Sequence, residues 1–314
     1  MISVLLAAYN GEKYITGLIE SLLSQTFQEF KLYVRDDKST DGTYSIAAKY
    51  AADNSGRIFA QQNEENSGGA KNNFIQMITE YKDDYIMLCD QDDIWLPDKI
   101  EKSLSRIKEL EKEHGADTPL FVYTDLKVVN DDLDVISSSY EKMANKDFGK
   151  NSLCTAVAMN NAAGCTIMYN RALGELIQAV PDFLVMHDWW LYLTAAVFGR
   201  IGVVGEPLAL HRQHGDNSSG AKKVLSPRYI FYVLTHLKTM AGMINDTYKQ
   251  AGSFFELFGD KLTEEQSELI KAYASIPGLT RFKRLCTVVK YKTFMHGTAR
   301  KTAQIMFLLG RRAL

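Results

Sequence analysis

The chain has 314 residues, 46% hydrophobic and 24% charged, with a formal net charge of -2. Those proportions suit a globular protein and exclude the disordered, collagenous and disulfide-framework classes. No run approaches ~18 uninterrupted apolar residues, so no bilayer-spanning helix is expected. Charge is unevenly placed. Residues 281–314 hold nine Lys/Arg and no Asp/Glu, which leaves 27 Lys/Arg against 38 Asp/Glu in the first 280. A basic end of this kind suits an anionic surface. Cys89, Cys154, Cys165 and Cys286 are far apart and form no CxxC pair. They read as small buried hydrophobes in a reducing, cytoplasmic compartment, neither a disulfide frame nor a zinc site.

In chain order, Ile2–Ala8 is a continuous apolar run, as expected of a strand covered on both faces. No basic residues precede it, so it reads as a strand and not as a signal peptide. Asn10-Gly11 breaks it, and Tyr14 to Leu23 repeats apolar residues at helical spacing. Phe30–Val34 is the next strand and runs into Arg35-Asp36-Asp37. A helix from about Thr43 to Ala52 and a short strand over Ile58–Ala60 follow. Ser67-Gly68-Gly69 opens a helix to about Glu80, and Tyr85–Cys89 is a strand. This alternation predicts a mostly parallel sheet with right-handed crossovers through residue 110 or so.

Beyond Pro97 a charged helix reaches about Lys112, and strands are expected over Leu120–Tyr123 and Leu126–Val129. Residues 131–150 are polar and irregular. Cys165–Tyr169 reads as a strand, Arg171–Ala179 as a helix, His187–Phe198 as an apolar helix and Ile201–Leu210 as a strand. From about Ser226 the pattern is helical. The expected division is 1–220 as one α/β domain, with halves at 1–110 and 111–220, and 221–314 as a helical C-terminal region.

Three strands end in polar clusters: Ala8-Tyr9-Asn10, Asp36-Asp37 and Asp90-Gln91-Asp92-Asp93. In parallel sheets ligands sit outside the carboxyl ends of strands, which is where these acids collect. Carboxylates repel one another unless protons, cations or a ligand offset the cost. A hard divalent cation, Mg²⁺ or Mn²⁺, takes one or two carboxylates and shares its other positions with phosphate oxygens and water. The plainer alternative for Asp90 to Asp93 is a solvated acidic turn that caps the helix after Pro97.

These segments together resemble inverting family 2 glycosyltransferases of GT-A fold. Val4 to Gly11 resembles that family's first strand and nucleotide-contacting loop, and Ser24-Gln-Thr26 its first-helix ending. Asp36-Asp37-Lys-Ser-Thr-Asp-Gly42 resembles DDGSTDG, departing in Lys38 for Gly. Asn66 to Asn72 resembles the segment after the third strand, and Asp90-Gln-Asp92-Asp93 with Ile94-Trp95 and Pro97 the DxD motif and its sequel. No single motif decides; five in order over residues 1 to about 220 are specific. His187-Asp188-Trp189-Trp190 and Arg212-Gln-His214-Gly215 with Asn217 are similar to the bacterial rhamnosyltransferase subgroup of surface-polysaccharide synthesis.

The resemblance implies a Rossmann-like sheet flanked by helices, with a helical C-terminal extension, and a nucleotide-diphosphate sugar donor. The subgroup implies dTDP-rhamnose; a UDP-sugar is the alternative donor. The acceptor is then a saccharide on a lipid carrier at the inner face of the membrane, and no nucleic-acid partner is expected. Ala8, Tyr9, Asn10, Asp36, Asp37, Lys71, Asp90 and Gln91 would bind the nucleotide sugar. Asp92, Asp93 and His214 would be ligands of Mn²⁺ or Mg²⁺. Asp188 would be the general base, although a helix N-cap is its bland alternative. His187, Trp189 and Trp190 would contact the acceptor, with one tryptophan in the core as the conservative division. His211 stands where the subgroup more often has an aromatic residue. The basic tail interleaves apolar residues, which suits peripheral contact with an anionic membrane surface; packing on the catalytic domain or on a second subunit of a homodimer is the rival.

Two other functions use part of this pattern. A sugar nucleotidyltransferase would want a glycine-rich basic loop after the first strand, where Ala8-Tyr9-Asn10-Gly11-Glu12 offers none. A non-catalytic sugar-binding relative would have no use for both the acid pair and Asp188.

Overall fold

The structure, a computed structural model, describes residues 1–177, 181–213 and 236–310. The chain begins β1 (Ile2–Ala8), α1 (Ile15–Leu23), β2 (Phe30–Asp36), α2 (Thr43–Asp53), β3 (Ile58–Gln62), α3 (Ala70–Glu80), β4 (Tyr85–Asp90) and β5 (Ile94–Trp95). It continues with α4 (Lys99–His114), β6 (Leu120–Val129), β7 (Val135–Ser137), α5 (Tyr140–Met143), α6 (Leu153–Ala156), β8 (Ile167–Asn170) and α7 (Arg171–Leu176). Next come α8 (His187–Phe198) and β9 (Arg200–Arg212), then α9 (Leu237–Phe258), α10 (Glu264–Ala274), α11 (Arg281–Tyr291) and α12 (Thr298–Leu309).

Two compact units divide these elements. The first takes the described residues of 1–140, 162–177 and 198–213. Its strands form one nine-stranded sheet in the order β3-β2-β1-β4-β8-β6-β9-β5, with β7 paired to β6. The β3-β2-β1-β4 part is parallel, as the alternation of strand and helix requires. Antiparallel β8 joins β4 to β6, and β9 runs parallel to β6. All seven residues of β1 are buried. Helix α1 places Ile15, Leu18, Ile19 and Leu22 in the core at i, i+3, i+4, i+7, so one apolar stripe covers the sheet.

Where two strands were expected around Thr124-Asp125, β6 is continuous. Register shifts against β9 at Asp125 absorb the polar residue as a bulge without ending the ladder. Residues 131–150 hold β7 and the short α5. The strand expected from Cys165 begins at Ile167 and is preceded by a turn of 3-10 helix. The two-residue β5 was not expected; it pairs with β9 through Ile94 opposite Leu210.

The second unit takes the described residues of 141–161, 181–197 and 236–310. The linear division at 220 therefore differs from the packing, because two earlier segments share a core with the C-terminal helices. Trp190 of α8, 0% exposed, has its ring centre 5.3 Å from Phe254 and 6.3 Å from Phe258 of α9. Tyr248 of α9 packs on Tyr273 of α10 at 4.9 Å. Thr263 and Gln266 form a reciprocal capping box at the start of α10, and Gln266 Nε2 also donates to the Val197 carbonyl at 2.8 Å. None of the described helices is long and apolar enough to cross a membrane.

Removing an indole from such a cluster leaves a cavity the aromatic neighbours cannot close. Trp190→Ala should destabilise by about 3–5 kcal/mol, read as a lowered urea midpoint.

Candidate active site

Parallel pairing brings three strand tips level. Ala8 lies opposite Asp36 of β2, and Ala7 opposite Asp90 of β4. Asp37 N then donates to Ala8 O at 2.7 Å, carrying the β1–β2 ladder one step past the strands. On the other flank the Gln91 amide imitates a strand partner. Tyr9 N donates to Gln91 Oε1 and Gln91 Nε2 donates to Tyr9 O, both at 2.8 Å. The approach is close enough that a Cβ on Gly11 would fall 2.2 Å from Gln91 Oε1. Asn10 takes a left-handed φ of 47°, donates its N–H to Ser39 Oγ at 2.9 Å and accepts from Thr40 N at 2.8 Å. Tyr9 itself is exposed. Ala8, Tyr9, Asn10, Asp36, Asp37, Asp90 and Gln91 thus meet on one edge of the sheet.

Asp36 and Asp37 do not stand open on that edge. Their exposures are 0% and 2%. Asp36 Oδ2 accepts from Ser39 N at 2.9 Å and Gln62 Nε2 at 2.8 Å. Asp37 accepts from Asn63 Nδ2, Ser67 N and Ser67 Oγ, each at 2.8 Å. The two carboxylates therefore tie loop 38–42 and loop 63–69 to the strand ends, and a ligand would meet the loops they shape. Lys38, which replaces the family's glycine, has φ 63°, the region where glycine is free of strain. Lys71 lies in the first turn of α3, just beyond the loop that Asp37 holds.

The fold separates the three acids of Asp90-Gln-Asp92-Asp93. Asp90 and Asp92 are half-buried. Asp93 is 0% exposed, and its Oδ1 lies 2.9 Å from His211 Nδ1. Its Oδ2 has no hydrogen-bond partner of ordinary geometry, and the Cys165 sulfur, the carboxylate and the imidazole all lie within 4.8 Å of one another. Beside them Lys99, also 0% exposed, sits 3.7 Å above the Trp95 ring and donates to the Cys165 carbonyl. Arg212, next along β9, donates Nε to the Asp92 carbonyl at 3.1 Å and Nη1 to the Asp131 carbonyl. The end of β9 thus holds two consecutive residues of the acidic loop, Asp92 and Asp93.

Burial alone would lower the His211 pKa, but the Asp93 charge and hydrogen bond, with Asp90 and Asp92, raise it to about 9. Burial likewise disfavours the Asp93 anion; His211, then the Cys165 thiol and the Lys99 charge, outweigh it and hold that carboxyl below the usual range. Burial brings the Lys99 ammonium down to about 8. Asp93 is therefore an anion neutralised from within. For a resident cation the donor set fits: hard carboxylate oxygens at the edge, on a loop whose backbone Arg212 fixes.

Asp188, His187, Trp189 and Trp190 belong to the second unit. Asp188, half-buried in the first turn of α8, accepts from Trp189 N at 2.7 Å. Trp189 is half-buried and donates Nε1 to Ala156 O at 2.7 Å. His187 is 3% exposed, and burial lowers its pKa. Trp190 is a core residue. Neither His187 nor Trp190 presents a surface an acceptor could touch. His214, with Gly215 and Asn217, lies outside the described residues.

The sequence profile of glycosyl transferase family 2 matches residues 3–174, more than half of the chain. The chain belongs to that family. EpsE of Bacillus subtilis (strain 168) is 34% identical over 127 residues, covering 40% of this chain and 45% of EpsE, so the match spans less than half of that protein. The dTDP-rhamnosyl transferase RfbG of Shigella flexneri is 24% identical over 238 residues, 71% of this chain and 76% of RfbG. Among solved structures, S. aureus TarS 1–349 in complex with UDP-GlcNAc superposes with a TM-score of 0.57 at 19% identity, covering 98% of this chain and 90% of that one. That likeness establishes the GT-A fold of this glycosyltransferase.

Sequence reasoning missed Lys99, the His211–Asp93 pair and the grip of Arg212. A signal existed for Lys99: Lys99, Ser103, Ile107 and Leu110 recur at core spacing along α4, and all four are buried.

The folded pKa of His211, about 9, lies above its ordinary 6.5. Its stabilisation is therefore complete below about 6.5 and is lost as pH rises through about 9. His211→Asn should lower Tm most at pH 6.5, and the gap to wild type should close by pH 9.5, measured by calorimetry.

Proposed function

We propose that this glycosyltransferase moves rhamnose from dTDP-rhamnose to a saccharide acceptor carried on a lipid, with inversion, in the synthesis of a surface polysaccharide. One observation carries the nucleotide part of the reading: the register that sets Asp36 and Asp90 on either side of β1's last residues, with Asp92 on the loop beyond. The similarity to RfbG over 71% of the chain, with the HDWW and RQHG segments, supports rhamnose and a polysaccharide product.

In this reading Ala8, Tyr9 and Asn10 receive the nucleotide, on loops held in shape by Asp36, Asp37 and Gln91. Lys71 contributes positive charge to the diphosphate. Asp90 accepts a hydrogen bond from the ribose or the sugar. Asp92 is the principal ligand of Mn²⁺ or Mg²⁺, and Asp93 supports its loop through His211. The bound cation supplies charge neutralisation for the departing nucleoside diphosphate. Asp188 takes the proton from the acceptor hydroxyl, which attacks the anomeric carbon from the face opposite the diphosphate. Trp189, its indole N–H held by Ala156, offers the acceptor a flat apolar face. His214 remains a candidate ligand of the metal or the phosphates.

A ligand that binds only the folded protein raises its melting temperature. With Mn²⁺ present, dTDP should raise Tm more than UDP or GDP, and EDTA should remove most of the gain. Stabilisation by UDP alone would move the donor to a UDP-sugar, and none by any nucleotide contradicts the reading. Asp188→Asn should lower kcat by at least about 100-fold with dTDP affinity unchanged; wild-type turnover would remove the base assignment.

A further inference from the structure

The last two described helices belong to the stretch in which all nine charged side chains are basic. On α11 the inward side is set by buried Val288 and by Arg284, which donates Nε to Leu279 O at 2.8 Å and Nη2 to Pro277 O at 2.9 Å. Opposite, Phe282, Cys286 and Val289 recur at i, i+4, i+7 and are exposed, Phe282 at 75% and Val289 at 55%. Such spacing makes one continuous stripe about 10 Å long. The reading of all four cysteines as buried therefore fails at Cys286, which lies within this stripe.

Helix α12 repeats the arrangement. Gln304, Phe307 and Leu308 are buried, while Met306 and Leu309 are exposed at 58% and 42%. Phe282 and Leu309 line the same open concavity, together with Thr280 and Arg281. The two stripes are thus joined end to end. Large side chains so exposed and so grouped are unusual on a surface that meets only water.

Basic residues flank the stripes. At 100° per residue, Lys283 and Lys290 fall on one side of the α11 stripe and Arg281 on the other. Lys290 is paired with Glu268 at 3.0 Å. Arg281, Lys283 and Lys292 are exposed and form no ion pair among the described residues. A second copy seated on this face would set like charges against like, which disfavours self-association.

We propose that the α11–α12 face docks on an anionic lipid surface. Phe282, Val289, Met306 and Leu309 enter the boundary between headgroups and acyl chains, and Arg281, Lys283 and Lys292 meet the phosphates. Lysine stems suit this position because their methylenes follow the apolar stripe while the ammonium stays in water. The inference does not depend on which sugar the enzyme transfers.

Flotation of the full chain with vesicles tests it. The protein should float with phosphatidylglycerol–phosphatidylcholine vesicles, fail to float with phosphatidylcholine alone, and float less as salt is raised. Phe282→Ser with Met306→Ser, and separately Lys283→Glu with Lys292→Glu, should each cut the bound fraction about tenfold. All four positions are exposed, so Tm should not move. Absence of flotation on anionic vesicles overturns the proposal, and so does flotation that survives both double variants. Sedimentation showing a dimer that Phe282→Ser/Met306→Ser dissolves, without flotation of the wild type, overturns it in favour of contact between copies.

Discussion

The register between parallel strands is the constraint on which the rest depends. Because Ala8 faces Asp36 and Ala7 faces Asp90, three backbones end level and deliver their next residues to one edge. A slip of one residue would turn every side chain of the slipped strand to the opposite face and scatter the acids. Bringing carboxylates together is costly, and the chain offsets most of that cost internally. Asp36 and Asp37 are met by hydroxyl, amide and backbone donors from two loops, and Asp93 by an imidazolium. Asp90 and Asp92 are left half-buried at the edge, where parallel sheets receive ligands.

This division gives the acids different duties. The buried ones fix geometry: each anchors a segment distant in sequence, and each would leave buried donors unsatisfied if removed. Strand β9 completes the arrangement by antiparallel pairing with β5, which brings His211 and Arg212 against the loop that carries Asp92. A metal ligand held by a backbone that is itself hydrogen-bonded needs less reorganisation when charge develops on a leaving group. The second unit is organised differently, around the aromatic residues of α8, α9 and α10, with Asp188 at the start of α8.

Much of the first unit was legible in the sequence, because buried parallel strands and amphipathic helices leave strong periodic signals. Strand β1, helix α1 and the collection of acids at strand ends follow from such patterns, as does α8 of the second unit. What periodicity cannot carry is the pairing of distant polar residues. His211 and Asp93 are separated by 118 positions, and nothing local marks them as partners. The DQDD segment likewise presents three equal carboxylates, and only the fold distinguishes Asp93 by burying it against His211 of β9. Lys38 was visible as a departure from a glycine pattern; its φ of 63° gives the reason for that glycine. A left-handed lysine costs about 1 kcal/mol, and its ammonium finds the Glu64 carbonyl. The assignment of all of 1–220 to one domain differs from the packing for a related reason: Trp190 joins a core built from residues more than 60 positions later, Phe254 and Phe258.

The central claim concerns where charge is neutralised: one sheet edge, one cation, two phosphates. Crystals soaked with Mn²⁺ and dTDP, with data collected at the manganese absorption edge, locate that ion directly. The account predicts a single strong anomalous peak between the Asp92 carboxylate and the diphosphate, with the base lying over Tyr9 and Asn10. A peak held by Asp93, Cys165 and His211, or a nucleotide bound away from the tips of β1, β2 and β4, would contradict it.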